Sequence, residues 1–293
     1  MKFLAGRHNG KSGVWLLVDD PADTAVNLTL LMPAIGTDLA ALADGRIDTA
    51  KVIAVSREAR RKDKVPLTEI EPTLPIANPG KILCLGLNYL EHIKEGGGSK
   101  PTSFPVFFMR SRTSLVASGQ PMLLPLVSEE LDFEAELMIV IGRAGRYIKA
   151  ERGLEHVFGY TTFNDGSVRD FQKRTPQWTA GKNFDATGAV GPVVVTPDEL
   201  PDGAHGVGIR TRIDGEVMQE STTADMLFSV ADIIAAASEF ATLEPGDLIA
   251  TGTPPGVGFG RTPPRWLQAG EVVEVEIDGI GTCRNPVVAE EPE

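Results

Sequence analysis

Two cysteines, Cys84 and Cys283, are too few for a disulfide framework in a chain of 293 residues, so a reducing cytoplasm is the expected location. The opening MKFLAGRHNG lacks the apolar core of a secretory signal, and no stretch reaches the roughly 18 apolar residues of a membrane span. Basic charge is scarce as well. The formal net charge of −12 repels a phosphate backbone and an anionic bilayer alike, so neither nucleic acid nor membrane is an expected partner. No G-x-x-x-x-G-K-[ST] occurs, and the glycines of ATGTPPGVGFG (250–260) do not fit a G-x-G-x-x-G opening a helix, which argues against nucleotide binding. Internal repeats and low-complexity tracts are absent too. A small anion remains open as substrate, provided a cation is recruited locally.

What is present is a globular composition, 42 % apolar, long enough for one large domain with an appendage or two ordinary domains. Asn9-Gly10 ahead of the apolar run 14–18 predicts a hairpin. Residues 38–43 with Gly45 behind them predict one short helix. The run REARRKDK (57–64) reads as a solvated face or loop, and VPLTEIEPTLPIANPG after it, with four prolines, reads as a linker. A small N-terminal α/β-containing domain is therefore expected over residues 1–75 and the main domain over 76–293. In the latter, strands are expected at 81–86, 131–141 and 157–163, with a turn at Asn164-Asp165-Gly166. Helical turns are expected at 88–95 and 167–173, and hairpins about Asp214-Gly215 and Asp278-Gly279. Ser229 with Asp232 three residues on predicts a capped amphipathic helix over 229–240. Many short strands and few helices indicate an α+β, β-rich chain with a mixed sheet or barrel-like core.

In LDFEAELMIVIG (131–142) the acids alternate, so on one strand Asp132, Glu134 and Glu136 would share a face. Carboxylates about 4.5 Å apart repel by roughly 3–4 kcal/mol at an effective dielectric of about 20. A bound divalent cation would reverse that sign, and Asp165, in a turn after an apolar strand, offers a second acid site. With oxygen donors alone the ion should be Mg²⁺, Mn²⁺ or Ca²⁺. An exposed, Glu-rich edge explains the same spacing without a metal.

Other groups could carry chemistry. His92 and Glu95 sit three apart in NYLEHIKE, where a glutamate can hold an imidazole and raise its basicity; a surface helical pair is the plainer reading. The glycines that follow would let the segment move as a lid does. Arg169 and Gln172 are likewise three apart, two donors suited to a carboxylate or keto oxygen, although Arg169 could equally form a structural salt bridge. Lys182 is a lone lysine among small and apolar residues, and most such lysines reach solvent. The 250–260 loop could bring Thr251 or Thr253 toward an anionic oxygen, or be a plain turn.

Taken together, GLNYLEHIKE (86–95), LDFEAELMIVIG (131–142), FNDGSVRDFQ (163–172), GKNFD…GP (181–192), DGEVMQ (214–219) and TLEPGDLIATGTPPGVG (242–258) resemble the fumarylacetoacetate hydrolase family, in order and over roughly residues 80–288. The resemblance implies a β-rich, usually dimeric enzyme that acts on a small keto acid. It implies metal ligands at Glu134, Glu136 and Asp165, leaving Asp132 outside the ligand set. It also implies a histidine–glutamate pair at His92 and Glu95, and substrate contacts from Arg169, Gln172, Lys182 and Thr253. Leu87 departs from relatives that carry a polar residue there, which bears on contacts with the far end of the substrate. The chemistry expected is hydrolysis of a carbon–carbon bond in a 2,4-diketo acid, with water activated by His92 attacking the 4-keto carbon. An oxaloacetate-type decarboxylase or a hydroxydienoate isomerase using the same metal site is the alternative within enzymes. A non-enzymatic metal-binding or scaffold protein is the alternative outside them.

Overall fold

A computed structural model describes residues 1–18, 23–58, 63–98 and 100–292. The first hairpin pairs Lys2–His8 with Lys11–Val18 about Asn9 and Gly10, both at positive φ (50° and 74°), the backbone that a two-residue turn of this hand demands. Of the charged run 57–64, residues 59–62 lie outside the described residues; the helix Thr49–Glu58 ends just before them.

The hairpin joins a large mixed sheet. Lys2–His8 pairs with Val193–Val195, which also meets Val157–Asp165; then follow Ala135–Ile141, Leu248–Ala250, Ile82–Gly86 and Val106–Met109. Thus the strands of the first 75 residues and those of the following segment share one sheet. It runs from Lys64–Pro66 at one end to Val106–Met109 at the other and stays open, so of the mixed sheet or barrel-like core expected from the sequence the mixed sheet is what forms, without barrel closure. Each edge carries a proline, Pro66 within its strand and Pro105 directly before the other, and a residue without an N–H cannot extend a ladder.

The strand Ala135–Ile141 is buried on both faces. Leu137, Ile139 and Ile141 pack with Ile233 and Ile234 of the helix Val230–Phe240, while Met138 and Val140 pack with Phe158 and Phe163 on the other side. Each fully buried isoleucine contributes about 1.5–3 kcal/mol. That helix starts as its sequence predicts: the Ser229 hydroxyl accepts from Asp232 N and the Asp232 carboxylate accepts from Ser229 N. A second sheet holds the hairpins Gly208–Ile213/Glu216–Thr222 and Val272–Ile277/Gly281–Ala289, with Met122–Leu124 added in parallel. Among the described residues no helix is long and apolar enough to cross a membrane.

Two differences from the expected elements shape the site. Segment 131–141 is two strands, Leu131–Asp132 and Ala135–Ile141, because side-chain amides replace the ladder between them. Asn164 Oδ1 accepts from Glu134 N, and Gln219 Oε1 accepts from Ala135 N. The expected turn at 164–166 begins later, since Val157–Asp165 carries its ladder through Asn164 and Asp165.

Candidate active site

The sheet brings three acids together from separate places. Glu134 lies at the break, Glu136 on the buried strand beside it, and Asp165 at the end of the neighbouring strand. One carboxylate oxygen from each lies within 4.8 Å of the others, and all three side chains are buried. Asp132 does not join them. The break at Phe133 and Glu134 ends the shared strand face, and the buried Asp132 carboxylate accepts from Arg169 Nε (2.8 Å) and from Phe133, Gly258 and Phe259 N–H.

Buried cations meet these charges. Lys182 Nζ lies 2.8 Å from Glu134 Oε2 and 2.5 Å from Asp165 Oδ2. Lys182 is 2 % exposed, so it turns inward instead of reaching solvent. Burial would lower its pKa, but Asp165 and Glu134 outweigh that and keep it charged. Burial likewise pushes the Glu134 carboxyl up, yet Lys182 and Arg169 hold it down at about 2. Glu136 is the opposite case: burial first, then the negative charges of Asp165 and Glu134, push it well above the ordinary range. Its Oε2 accepts from Gly252 N (2.8 Å), while its Oε1 is buried without a hydrogen-bond partner.

Four buried carboxylates, Asp132, Glu134, Glu136 and Asp165, thus face three buried cations, Arg110, Arg169 and Lys182. An unsatisfied carboxyl oxygen in an all-oxygen cluster with more acids than cations fits a hard divalent cation. The triad is therefore a candidate metal site, with Mg²⁺ or Mn²⁺ matching the donor set.

Arg110 was not singled out by its sequence context. Its Nη1 donates to Asp165 Oδ1 (2.5 Å) and Gly166 O, its Nη2 to Thr187 Oγ1, and its Nε to Ser114 Oγ. One of two arginines in FFMRSRTS, it looks like a surface residue, and only the fold brings it to an acid 55 positions away.

A cavity of about 320 Å³, within the size range of small-ligand pockets, opens beside Glu134. His92, Glu134, Arg169, Gln172, Lys182 and Thr253 all reach its wall. His92 Nδ1 stands 3.2 Å from Glu95 Oε2. A carboxylate only accepts, so Nδ1 carries the proton and Nε2 is the basic nitrogen. Glu95 Oε1 in turn accepts from Gly256 N (2.7 Å). Arg169 Nη1 donates to Gln172 Oε1 (2.9 Å). Arg169 Nη2 lies 2.7 Å from Glu134 Oε1 as an ion pair, but off the hydrogen-bond direction, so a buried N–H donor at the cavity remains unsatisfied. The Thr253 hydroxyl accepts from Gln219 Nε2, whose amide thereby ties the threonine to the strand carrying Glu136.

Apolar side chains, Leu87, Phe108, Trp178 and Phe259, complete the lining. Leu87 sits at φ 62°, rare for a residue with a Cβ. Asn88 holds this corner, exchanging hydrogen bonds with Phe228 and donating to Thr251 O. Gly86 is needed for the same wall, since a Cβ there would lie 2.2 Å from the Trp178 ring.

The comparisons with known proteins agree with one another. The family described as fumarylacetoacetate (FAA) hydrolase C-terminal matches residues 81–288. A Xenopus laevis protein named oxaloacetate tautomerase fahd2, mitochondrial, is 47 % identical over 216 residues, 73 % of this chain and 67 % of its own length. Oxaloacetate tautomerase YisK of Bacillus subtilis is 35 % identical over 98 % of this chain and 100 % of its own. The solved fumarylacetoacetate hydrolase of Exiguobacterium antarcticum superposes with a TM-score of 0.83 at 34 % identity, covering 99 % of this chain and 100 % of that one.

Proposed function

The chain belongs to the fumarylacetoacetate hydrolase family, and from that premise we propose that it interconverts the keto and enol forms of a small β-keto dicarboxylic acid of the oxaloacetate type. The observation that carries the reading is the cavity itself: its wall brings together a histidine with a free basic nitrogen, Glu134 of the buried acid triad and the Arg169 guanidinium.

Each residue has a role in that reaction. Glu134, Glu136 and Asp165 would hold the divalent cation, which when bound draws electron density from the substrate's keto oxygen and favours its enolate. Arg169 Nη2 and Gln172 bind the carboxylate beside the keto group. His92 Nε2 takes the proton from the carbon next to it; the C–H electron pair becomes the C=C bond, and the carbonyl pair moves to oxygen. Glu95 holds the imidazole and stabilises the imidazolium so formed. The proton then passes to the enolate oxygen, and Lys182 and Thr253 steady the negative charge there. The reverse sequence converts enol to keto.

The same His92 could instead activate water for carbon–carbon hydrolysis of a 2,4-diketo acid, as the motifs alone suggest. The tautomerase names of relatives at 47 % and 35 % identity weigh toward proton transfer without cleavage. A panel of enol-oxaloacetate and acylpyruvates with Mg²⁺, and again with chelator, separates the two. Accelerated disappearance of the enol with no new carbon fragment is expected. Release of pyruvate from an acylpyruvate, with no effect on enol-oxaloacetate, would overturn the proposal in favour of hydrolysis.

A further inference from the structure

We propose that Asp132, an acid outside the metal group, is a positioning residue that fixes the substrate-binding face of Arg169 and the loop that seats Glu95. This rests on the reading above that Arg169 receives a substrate carboxylate. Asp132 is fully buried, and both of its oxygens are used twice. Oδ2 accepts from Arg169 Nε (2.8 Å) and Phe259 N (3.0 Å); Oδ1 accepts from Phe133 N (2.8 Å) and Gly258 N (2.7 Å).

Holding Nε has a geometric consequence. A guanidinium is planar, so fixing its Nε edge decides where its two Nη groups go. Here Nη1 goes to Gln172 and Nη2 to the cavity wall, 2.7 Å from Glu134 Oε1 but without an aligned acceptor. Without Asp132, the guanidinium would be held only by Gln172 and Glu134 and would be free to rotate on those contacts, carrying Nη2 off the cavity wall.

The other half of the bracket is the loop. Two of the three backbone N–H groups from which Asp132 accepts belong to the turn Gly258–Gly260, whose Phe259 ring lies 4.5 Å from the Arg169 guanidinium and 6.0 Å from the His92 ring. Two residues earlier, Gly256 N donates to Glu95. The dock is tight: a Cβ on Gly258 would fall 1.9 Å from Arg265 O and 2.6 Å from Asp132 Oδ1. One carboxylate thus sets the substrate arginine directly and the histidine–glutamate pair through the backbone of residues 256–259.

Asp132→Asn tests this. The amide keeps the size and one acceptor but turns an NH₂ toward two other donors. Oxalate, an inert dicarboxylate, is titrated in the presence of saturating Mn²⁺, with Mn²⁺ affinity measured separately. Expected is oxalate binding weaker by about 10²-fold, the effect of misplacing a positioning group, with Mn²⁺ affinity at the wild-type value. On an Arg169→Lys background, which lacks Nε, the same substitution should change oxalate affinity by no more than about twofold. Wild-type oxalate affinity in Asp132→Asn, or full additivity of the two substitutions, overturns the proposal. Should Asp132→Asn fail to fold, Asp132→Glu keeps the charge and displaces it; wild-type oxalate affinity in that variant overturns the proposal equally. Oxalate binding requires no turnover, so these outcomes are separate from whether the wild type accelerates tautomerisation.

Discussion

Arg110→Met would remove the guanidinium that holds Asp165 from the side away from the cavity. Both side chains of this pair are 0 % exposed, so Asp165 cannot recover its lost partner from water. Breaking a buried ion pair from one side costs about 3–5 kcal/mol. Lys182 remains on Asp165 Oδ2, which points to the lower end of that range, about 3 kcal/mol. At about 2–4 °C per kcal/mol, the melting temperature should fall by roughly 6–12 °C. The test is thermal unfolding followed by circular dichroism, in chelator and in excess Mg²⁺. Because the cost is an uncompensated charge on a proposed metal ligand, a cation should relieve part of it. At one fixed, saturating Mg²⁺ concentration the variant should therefore gain more than the wild type does, by about 1.4 kcal/mol for each tenfold by which its Kd is lower. A fall below about 2 °C in chelator, corresponding to under about 1 kcal/mol, would refute the reasoning. So would an equal gain from Mg²⁺ in the two proteins.

Three further outcomes follow from the same geometry. His92→Ala should lower kcat by about 10²–10⁴-fold while Mn²⁺ binding, followed by calorimetry, stays unchanged; unchanged turnover would move the base elsewhere. Lys182→Met removes the ammonium that bridges Glu134 and Asp165, so the chelated protein should lose about 3–5 kcal/mol in denaturant unfolding. Wild-type stability in chelator would contradict a paired, charged Lys182. Gln219→Leu strands the buried Ala135 N–H and frees Thr253, so it should cost about 1–3 kcal/mol; an unfolding midpoint matching the wild type would show that the strand break does not depend on it.

Much of this architecture was legible in the residues. Asn9-Gly10, Asp214-Gly215 and Asp278-Gly279 mark real hairpins, because the positive φ such turns require is available chiefly to these residue types. Ser229 and Asp232 mark a real helix start. The acids of E-x-E lie together because only one residue separates them, whereas Asp165 joins them only through strand pairing of 135–141 with 157–165. Period-two reasoning placed Asp132 with Glu134 and Glu136, and it failed where Asn164 and Gln219 side chains take the place of a ladder. No local pattern reveals such a substitution. Gln219 stands in DGEVMQ, one of the motifs behind the resemblance, so its position was marked although its hydrogen bonds were not. Arg110 and the inward turn of Lys182 depend on partners 55 and 48 positions away, beyond the reach of local spacing.

The central claim is that Glu134, Glu136 and Asp165 hold the cation on which turnover depends. Its most direct test is enol-oxaloacetate decay, followed by stopped-flow absorbance, for wild type and Glu136→Ala, each with Mg²⁺ and with chelator. Circular dichroism serves as the check on folding. The account predicts acceleration by wild type with Mg²⁺ alone, and none by folded Glu136→Ala under either condition. Normal acceleration by Glu136→Ala, or by wild type in chelator, would contradict it.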